Sequence, residues 1–219
     1  MGDLPRTPPL RRLTPAQQRR LHFRLHVSRI IRGLQRHLRR HPAVVAHGAE
    51  AFRALSATEL TRTEQDRLLE PWGVPGREEI EAKLRSIDAR LDNLMATLSD
   101  SQRQALPLEG VRQRFALDED DFHLLLVAAL PCLSERLTRM LGLLALGPRP
   151  SVHLCANVVA RDSDHLEHLL ARLTPQGRLG SQGVLAFWDD PRWGAQTPIH
   201  HRILCVDDAL LGALRPDPV

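Results

Sequence analysis

Residues 108–146 read LEGVRQRFALDEDDFHLLLVAALPCLSERLTRMLGLLAL, and this segment alone has enough uninterrupted apolar surface to make a core. Asp118, in the first third of this segment, is a typical helix N-cap, and Asp121 places a second carboxylate near the free amides of the first turn. A helix is therefore predicted to begin near Glu119. Residues 122–130 make it apolar on nearly every side, which is typical of a helix buried among neighbours.

Further helices are predicted after this one. Pro131 should end or kink the buried helix, and leucines at helical spacing predict a third helix over residues 133–144. Ser151 is a predicted cap for the next helix, and Asp162 or Ser163 for the one after it.

The C-terminal part of the chain changes character. The glycines at 177, 180 and 183 break the helical pattern, and two β-favouring runs follow over residues 184–188 and 202–206. A loop rich in turn residues separates the runs, so we predict a two-stranded hairpin. Asp207 and Asp208 then begin a final short helix.

Two long amphipathic helices are predicted upstream. Thr14 and Gln17 form a capping box with Pro15 at the first helical position, and this helix should run to about Arg40. The second helix has the apolar spacing of a coiled-coil seam, and its partner is either the first helix or a second subunit. Its apolar positions are Ile80, Leu84, Ile87, Leu91, Leu94 and Leu98.

The composition favours helices, because Leu and Ala are abundant, Tyr is absent and aromatic residues make up 4% of the chain. The net charge of +4 comes almost entirely from arginine, with Lys83 the single lysine. A high-GC genome would produce this bias as readily as selection for nucleic-acid binding. The three cysteines lack CxxC spacing, and Cys132 and Cys155 are predicted to be core residues. With no signal peptide or membrane-spanning run, we expect a cytoplasmic protein.

Arginines line the predicted first helix, and three interpretations are open. In the structural one, which we favour, they are solvated or paired with acidic neighbours. The functional ones are contact with a nucleic-acid backbone or anionic surface, and packing against a partner helix. The residues that would make nucleic-acid or partner contacts are Arg32, Arg36, Arg39 and Arg40, together with Arg192 and Trp193 of the hairpin loop.

Two histidine pairs lie four residues apart, His22 with His26 and His37 with His41. This spacing puts both imidazoles of a pair on one helix face, where they could bind a metal. Neither pair has a Cys, Asp or Glu nearby in the sequence, so we predict no metal site and no cofactor.

No catalytic motif is present. Lys83 lies in EAKLRS, without the glycines and the hydroxyl of a phosphate-binding loop. The acidic clusters at 118–121 and 188–190 are better interpreted as a helix start and a hairpin turn than as magnesium or acid–base sites. We also find no serine-hydrolase, metalloprotease or Cys/His nucleophile pattern, so the chain is expected not to be an enzyme.

Several short helices followed by a β-hairpin are typical of a winged helix, a helix-turn-helix variant whose second helix can enter a DNA groove. The predicted fold class is therefore mainly α, a helical bundle with a winged-helix-like part that carries a small two-stranded β-hairpin. The helix over 119–130 is acidic and then apolar, and the helix over 162–173 has few basic residues, so DNA binding by the core is disfavoured. The predicted divisions are a disordered tail over 1–13, an N-terminal helical region over 14–76, the winged-helix-like domain over 77–214 with its hairpin near 184–206, and a tail over 215–219.

Four segments together resemble the winged-helix N-terminal region of bacterial AAA+ ATPases, including those encoded with extracellular contractile injection systems. The long helix is EIEAKLRSIDARL, and the acidic start of a leucine-rich helix lies in the run LPLEGVRQRFALDEDDFHLLLVAALPCLSERLTRMLGLLALGPRPSVHLCANVV. Pro150 and Ser151 open the next helix as in that family. The segments GRLGSQGVLAFWDD and HHRILCVDDALLGAL are similar to its hairpin and to the short helix that leads to the ATPase module. The resemblance covers about residues 44–214.

This resemblance implies a non-catalytic regulatory or partner-recognition module, linked to assembly or remodelling of a contractile injection system or a similar complex. The implied partner is a protein, in the first place an AAA+ module in cis or in trans, and a homo-oligomer stays open. In that family the nucleotide-binding module would begin near Val219, so we expect an N-terminal part or a stand-alone relative. The alternative is a nucleic-acid-binding winged helix that uses the arginine-rich first helix. No family catalytic residues have matching positions.

Overall fold

The computed structural model describes residues 13–40, 74–133, 149–191 and 196–215. The helix predicted over 133–144 therefore lies almost wholly outside the described residues. In chain order the described elements are α1 (Pro15–Arg40), α2 (Arg77–Thr97), α3 (Asp100–Gln104), α4 (Pro107–Arg114), α5 (Glu119–Leu133), α6 (Val152–Val159), α7 (Ser163–Arg172), α8 (Arg178–Ser181), β1 (Ala186–Trp188), a 3-10 turn (Ile199–His201), β2 (Ile203–Cys205) and α9 (Asp208–Leu214).

Helix α1 begins with the predicted capping box. The Thr14 amide donates to Gln17 Oε1 at 2.8 Å, and the Gln17 amide donates to Thr14 Oγ1 at 3.3 Å. The heptad-like face of α2 packs along α1, so within this chain the partner of the seam is α1. The core residues of one cluster along these helices are Leu25, Ile87, Leu94, Leu98 and Leu106.

Helix α5 is the centre of the larger core, as its apolar sequence predicts. The Asp121 amide donates to Asp118 Oδ1 at 2.9 Å, which confirms Asp118 as the N-cap. Residues 121–129 are all buried. Helix α5 continues past Pro131 to Leu133, so the proline does not end it at that point. The prediction that Cys132 is a core residue was wrong, because Cys132 is exposed, whereas Cys155 is fully buried.

Helices α6 and α7 form a helix-turn-helix. The Ser151 hydroxyl accepts from the Leu154 amide at 3.2 Å, and Asp162 Oδ1 accepts from the His165 amide at 2.8 Å, so both predicted caps are confirmed. Three residues, 160–162, separate the two helices. A turn of this length is typical of helix-turn-helix motifs.

The predicted hairpin is confirmed. Strands β1 and β2 pair antiparallel, with Phe187 opposite Leu204. A single bridge between Ser151 and Ile203 adds the start of α6 to the far edge of β2. Helix α8 was not predicted, because its glycines were interpreted as helix breakers; Gly183, which follows it, does adopt a positive φ of 69°.

The described architecture is mainly α with one small two-stranded sheet, which confirms the predicted fold class. None of the described helices combines the length and the apolar character that crossing a membrane requires.

Candidate recognition surface and histidine cluster

The second helix of the helix-turn-helix, α7, presents an acidic face. Its N-cap Asp162 is exposed, and so are Asp164, Glu167 and His168 along its length. Its apolar side is buried, with Leu169 fully enclosed in the core. We call the three exposed carboxylates at 162, 164 and 167 the acidic face. A helix in this position that reads DNA would be expected to present basic and polar residues instead.

The arginine of α7 points away from this face and pairs with the first turn of α5. Arg172 Nη2 lies 2.9 Å from Asp121 Oδ2 and also contacts Asp118 Oδ2. Arg178, on α8, lies 3.6 Å from the same oxygen of Asp121. In the same turn, His165 Nε2 lies 3.0 Å from Asp120 Oδ2, and Arg172 Nη1 lies 3.8 Å from that oxygen. The cluster DEDD therefore both starts α5 and holds α7 against it.

Burial dominates the chemistry of this contact. The Asp121 side chain is 1% exposed, and desolvation raises the pKa of its carboxyl above the ordinary value although Arg172 opposes the shift. The interpretation of the cluster as a structural helix start agrees with this packing, because its acids face arginines and a histidine of the same chain.

The β1–β2 hairpin, which we call the wing, carries the second exposed feature. Trp188 on β1 is 58% exposed, and it is the one large hydrophobic residue with this exposure among the residues described. The guanidinium carbon of Arg149 lies 5.5 Å from the centre of the indole ring, a cation–π arrangement. Beyond β1, the Asp190 amide donates to Thr197 Oγ1 at 3.1 Å. This hydrogen bond joins the two sides of the loop between β1 and β2. Arg192 and Trp193 lie outside the described residues.

The C-terminal arginines of α1 bind backbone carbonyls. Arg36 Nη2 donates to the Val158 and Val159 oxygens at 3.4 Å each. Arg40 donates to the Ala160 oxygen at 3.2 Å and also to the Arg161 oxygen. These are carbonyls at and beyond the end of α6, which no helical amide satisfies. Burial lowers the pKa of Arg36, whose side chain is 14% exposed.

The other two arginines singled out from the sequence have different partners. Arg39 donates to the Val74 and Pro75 oxygens at 2.8 Å each. Arg32 donates to Gln35 Oε1 at 2.5 Å, within α1. Three of the four arginines thus fasten α1 to distant segments through backbone carbonyls. The structural interpretation expected solvent or acidic neighbours instead, and Arg36 does also have an acidic neighbour, since its Nη1 lies 3.9 Å from Glu81 Oε1.

A groove lies between α1, α2 and the ends of α5 and α6, with a volume of about 590 Å³. Both charge signs line it. Arg29 forms ion pairs with two acidic residues of the groove. Its Nε donates to Asp88 at 2.7 Å and its Nη2 donates to Glu119 at 3.1 Å. Arg161 and Asp120 lie 3.6 Å apart at another edge. Because most of these charges compensate one another, the groove does not form a single-sign anion site.

Beside this groove, three side chains from two helices converge. His22 Nε2 lies 3.2 Å from His26 Nε2, and it lies 3.5 Å from Glu109 Oε1 on α4. Their potential ligand atoms all lie within 4.8 Å of one another. We call these residues the histidine cluster. Sequence reasoning identified both histidines but missed Glu109, because 83 residues separate it from His26 and only the packing of α4 on α1 brings them together.

The histidine cluster is buried, with His22 1% and His26 7% exposed. Burial, together with the neighbouring His22, lowers the pKa of His26 well below its ordinary value. The hydrogen bond with His22 lowers the pKa of Glu109. The neutral form of His26 and the ionised form of Glu109 are therefore both favoured in this cluster.

Comparison with known proteins gives one family. A family model described as "Winged helix domain, variant" matches residues 50–214, three quarters of the chain. Helix α1 lies before the matched segment. No curated protein and no solved structure shows significant similarity to the chain.

Proposed function

Because the chain belongs to the variant winged helix domain family, we propose that it is a non-catalytic regulatory module that recognises a protein partner through the acidic face of α7 and the wing. The acidic face carries this proposal. It occupies the position that reads DNA in helix-turn-helix proteins, yet it presents the charge of the DNA phosphates.

Electrostatics favour a protein over nucleic acid at this surface. A carboxylate about 7 Å from a phosphate is repelled by about 0.6 kcal/mol in water, and the acidic face has three such groups. Arg36, Arg39 and Arg40, which the nucleic-acid alternative would use to contact phosphates, bind carbonyls of their own chain. A basic protein surface reverses the sign of the interaction. Such complementarity raises the association rate and selects the partner.

The wing supplies the apolar contact that such an interface needs. Exposed tryptophan and arginine are the residue types most enriched at the energetic centres of protein interfaces. Trp188 and Arg149 form such a pair on β1 and just before α6. A partner that covers the indole would desolvate an otherwise exposed ring.

The resemblance to winged-helix regions of bacterial AAA+ ATPases supports a narrower proposal for the partner. We infer an AAA+ module, joined in cis or acting in trans, whose assembly or remodelling work on a contractile injection system or similar complex this module directs. The chain itself would supply no catalytic group and need no cofactor for that role.

A charge-reversal experiment tests the surface. The tagged chain, a variant with Asp164→Arg and Glu167→Arg, and a Trp188→Ala variant are used to capture an AAA+ ATPase encoded beside the gene. Glu78→Arg is the matched control, because Glu78 is an exposed acid in the first turn of α2 just as Asp164 is in α7. We expect capture by the wild type and the control, and at least a tenfold loss for both surface variants.

A DNA-binding measurement tests the alternative function, nucleic-acid binding. Fluorescence anisotropy with a 20-bp duplex at about 150 mM salt is expected to show no binding at micromolar protein. Salt-dependent micromolar binding that is lost on replacing Arg32, Arg36, Arg39 and Arg40 would establish the nucleic-acid alternative instead. Circular dichroism must accompany that variant, because three of its arginines also hold α1 in place.

A further inference from the structure

We propose that His22, His26 and Glu109 bind a zinc ion that ties α1 to α4. This inference does not depend on partner recognition. It rests on the geometry of the three ligand atoms and on the burial of their side chains.

The distances match those of a tetrahedral zinc site. Zinc binds histidine nitrogen and carboxylate oxygen at about 2.0–2.2 Å, so two ligands of a tetrahedral ion lie roughly 3.3–3.6 Å apart. His22 Nε2 lies 3.2 Å from His26 Nε2 and 3.5 Å from Glu109 Oε1. All three ligand atoms lie within 4.8 Å of one another, so the remaining pair, His26 and Glu109, would close to about 3.5 Å when the ion binds. The pair of histidines at i, i+4 on one helix face is a recurrent zinc arrangement.

The hydrogen bonding of the cluster leaves room for a cation. Two imidazole nitrogens and one carboxylate oxygen face the same point, and each neutral imidazole carries one proton on one of its two nitrogens. If His22 Nε2 donates to Glu109, then His26 Nε2 presents a lone pair to the same region. When His22 carries its proton on Nδ1 instead, its Nε2 lone pair is free, and a divalent ion can then bind His22 Nε2, His26 Nε2 and the Glu109 oxygen at once.

The ligand types select zinc over magnesium or calcium. Imidazole nitrogen suits zinc and its transition-metal neighbours, whereas magnesium and calcium require mainly oxygen ligands. The cluster lines a cavity of about 350 Å³. A water molecule in that cavity can occupy the fourth position.

The outer shell of this site is incomplete. Among the described residues, His26 Nδ1 is buried with no hydrogen-bond partner. Zinc-binding histidines usually donate their second nitrogen to a carboxylate, carbonyl or water, and losing that contact typically weakens binding 10–100-fold. We therefore expect an affinity below that of a structural zinc finger.

The proposed role is to stabilise the docked position of α1. The ion would join two segments that lie 83 residues apart, one before the family-matched residues and one within them. An ion that binds only the folded state raises the melting temperature. At about 100 times the dissociation constant we expect a rise of roughly 5–10 °C.

The test uses the full chain after removal of metal with EDTA. Isothermal titration with zinc chloride should give one ion per chain, and the melting temperature should rise with zinc. Glu109→Gln and His26→Gln keep the side-chain size and should each weaken binding at least tenfold and abolish the thermal shift. His168→Gln is the matched control, since His168 is an exposed histidine outside the cluster; it should bind zinc as the wild type does.

Cobalt substitution provides a readout that does not depend on variant folding. The wild-type chain with Co²⁺ should show the visible absorption of a tetrahedral site, without the sulfur-to-metal charge-transfer band that Cys132 would produce. A cobalt–thiolate band, zinc binding that neither cluster variant weakens, or no binding at 100 times a typical micromolar dissociation constant would each overturn the proposal.

Discussion

Replacing Gly33 by alanine should separate α1 from α6. A methyl group added at Gly33 would lie 2.5 Å from the Val158 backbone oxygen and 3.2 Å from Val158 Cγ1. An ordinary carbon–oxygen contact needs about 3.3 Å or more, so the two helices must move apart by roughly 0.8 Å. The atom in the way is backbone, so no side-chain rotation relieves the clash.

The change in the free energy of unfolding is the balance between a gain in helix propensity and losses from overpacking and from longer hydrogen bonds. Alanine is about 1 kcal/mol better than glycine inside a helix. Overpacking costs about 1–3 kcal/mol, and the Arg36 bonds to the Val158 and Val159 oxygens, worth about 1 kcal/mol each, would lengthen with the shift. We expect a net loss of about 2 kcal/mol, which corresponds to a melting temperature roughly 4–8 °C lower.

Gly110 offers the matched control. It lies inside α4, and a methyl group there would meet no atom within 4 Å. Gly110→Ala should therefore stabilise the protein by about 0.5–1 kcal/mol. Urea unfolding followed by circular dichroism measures both variants. If Gly33→Ala were as stabilising as Gly110→Ala, the close crossing of α1 and α6 would be refuted.

Three further predictions concern stability. Arg172→Gln should lower the free energy of unfolding, measured in urea, by about 3 kcal/mol, because it leaves the buried Asp121 carboxylate without its nearest cation. Adding Asp121→Asn should recover most of this loss. Additive losses in the double variant would contradict the pairing. Burial, with Arg29 nearby, holds the pKa of His123 well below its ordinary value, so His123 stays neutral in the folded state while the unfolded chain binds a proton below about pH 6.5. The free energy of unfolding should thus fall on acidification. His123→Gln should remove about 1 kcal/mol of the loss between pH 7.5 and 5.5. An unchanged dependence of stability on pH in this variant would show that His123 is not the group responsible. Arg40→Ala should speed amide exchange in the last turn of α6 and leave α3 unchanged; uniform acceleration would indicate global destabilisation instead.

Elements whose ends are determined locally could be predicted from the sequence. The caps at Asp118, Ser151, Asp162 and Asp207 each bond an amide two or three residues later, so their chemistry is present in the local sequence. The two β-favouring runs and the turn-rich loop between them likewise predicted the hairpin, and the helical spacing of apolar residues predicted the long helices. Helix α8 was missed because it has four residues and contains Gly180, which leaves no periodicity to detect.

The candidate site could be predicted only in part. The acidic face is visible in the sequence once α7 is recognised, because its charged residues are local. The meeting of Glu109 with the two histidines depends on how α4 packs against α1, and no local pattern encodes it. For the same reason, the arginines of α1 could be counted from the sequence, but the carbonyls that they bind could not be identified.

The contacts of Arg36 and Arg40 with the end of α6 have a practical consequence for anyone trimming this protein. A fragment cut at the limits of the family match would begin at residue 50 and lose both guanidinium groups. The carbonyl oxygens of residues 158–161 would then need hydrogen bonds from water. These residues lie at the turn that sets the angle between α6 and α7. The orientation of the acidic face is thus maintained by a helix that lies outside the family match, and a shortened version is expected to present that face less rigidly.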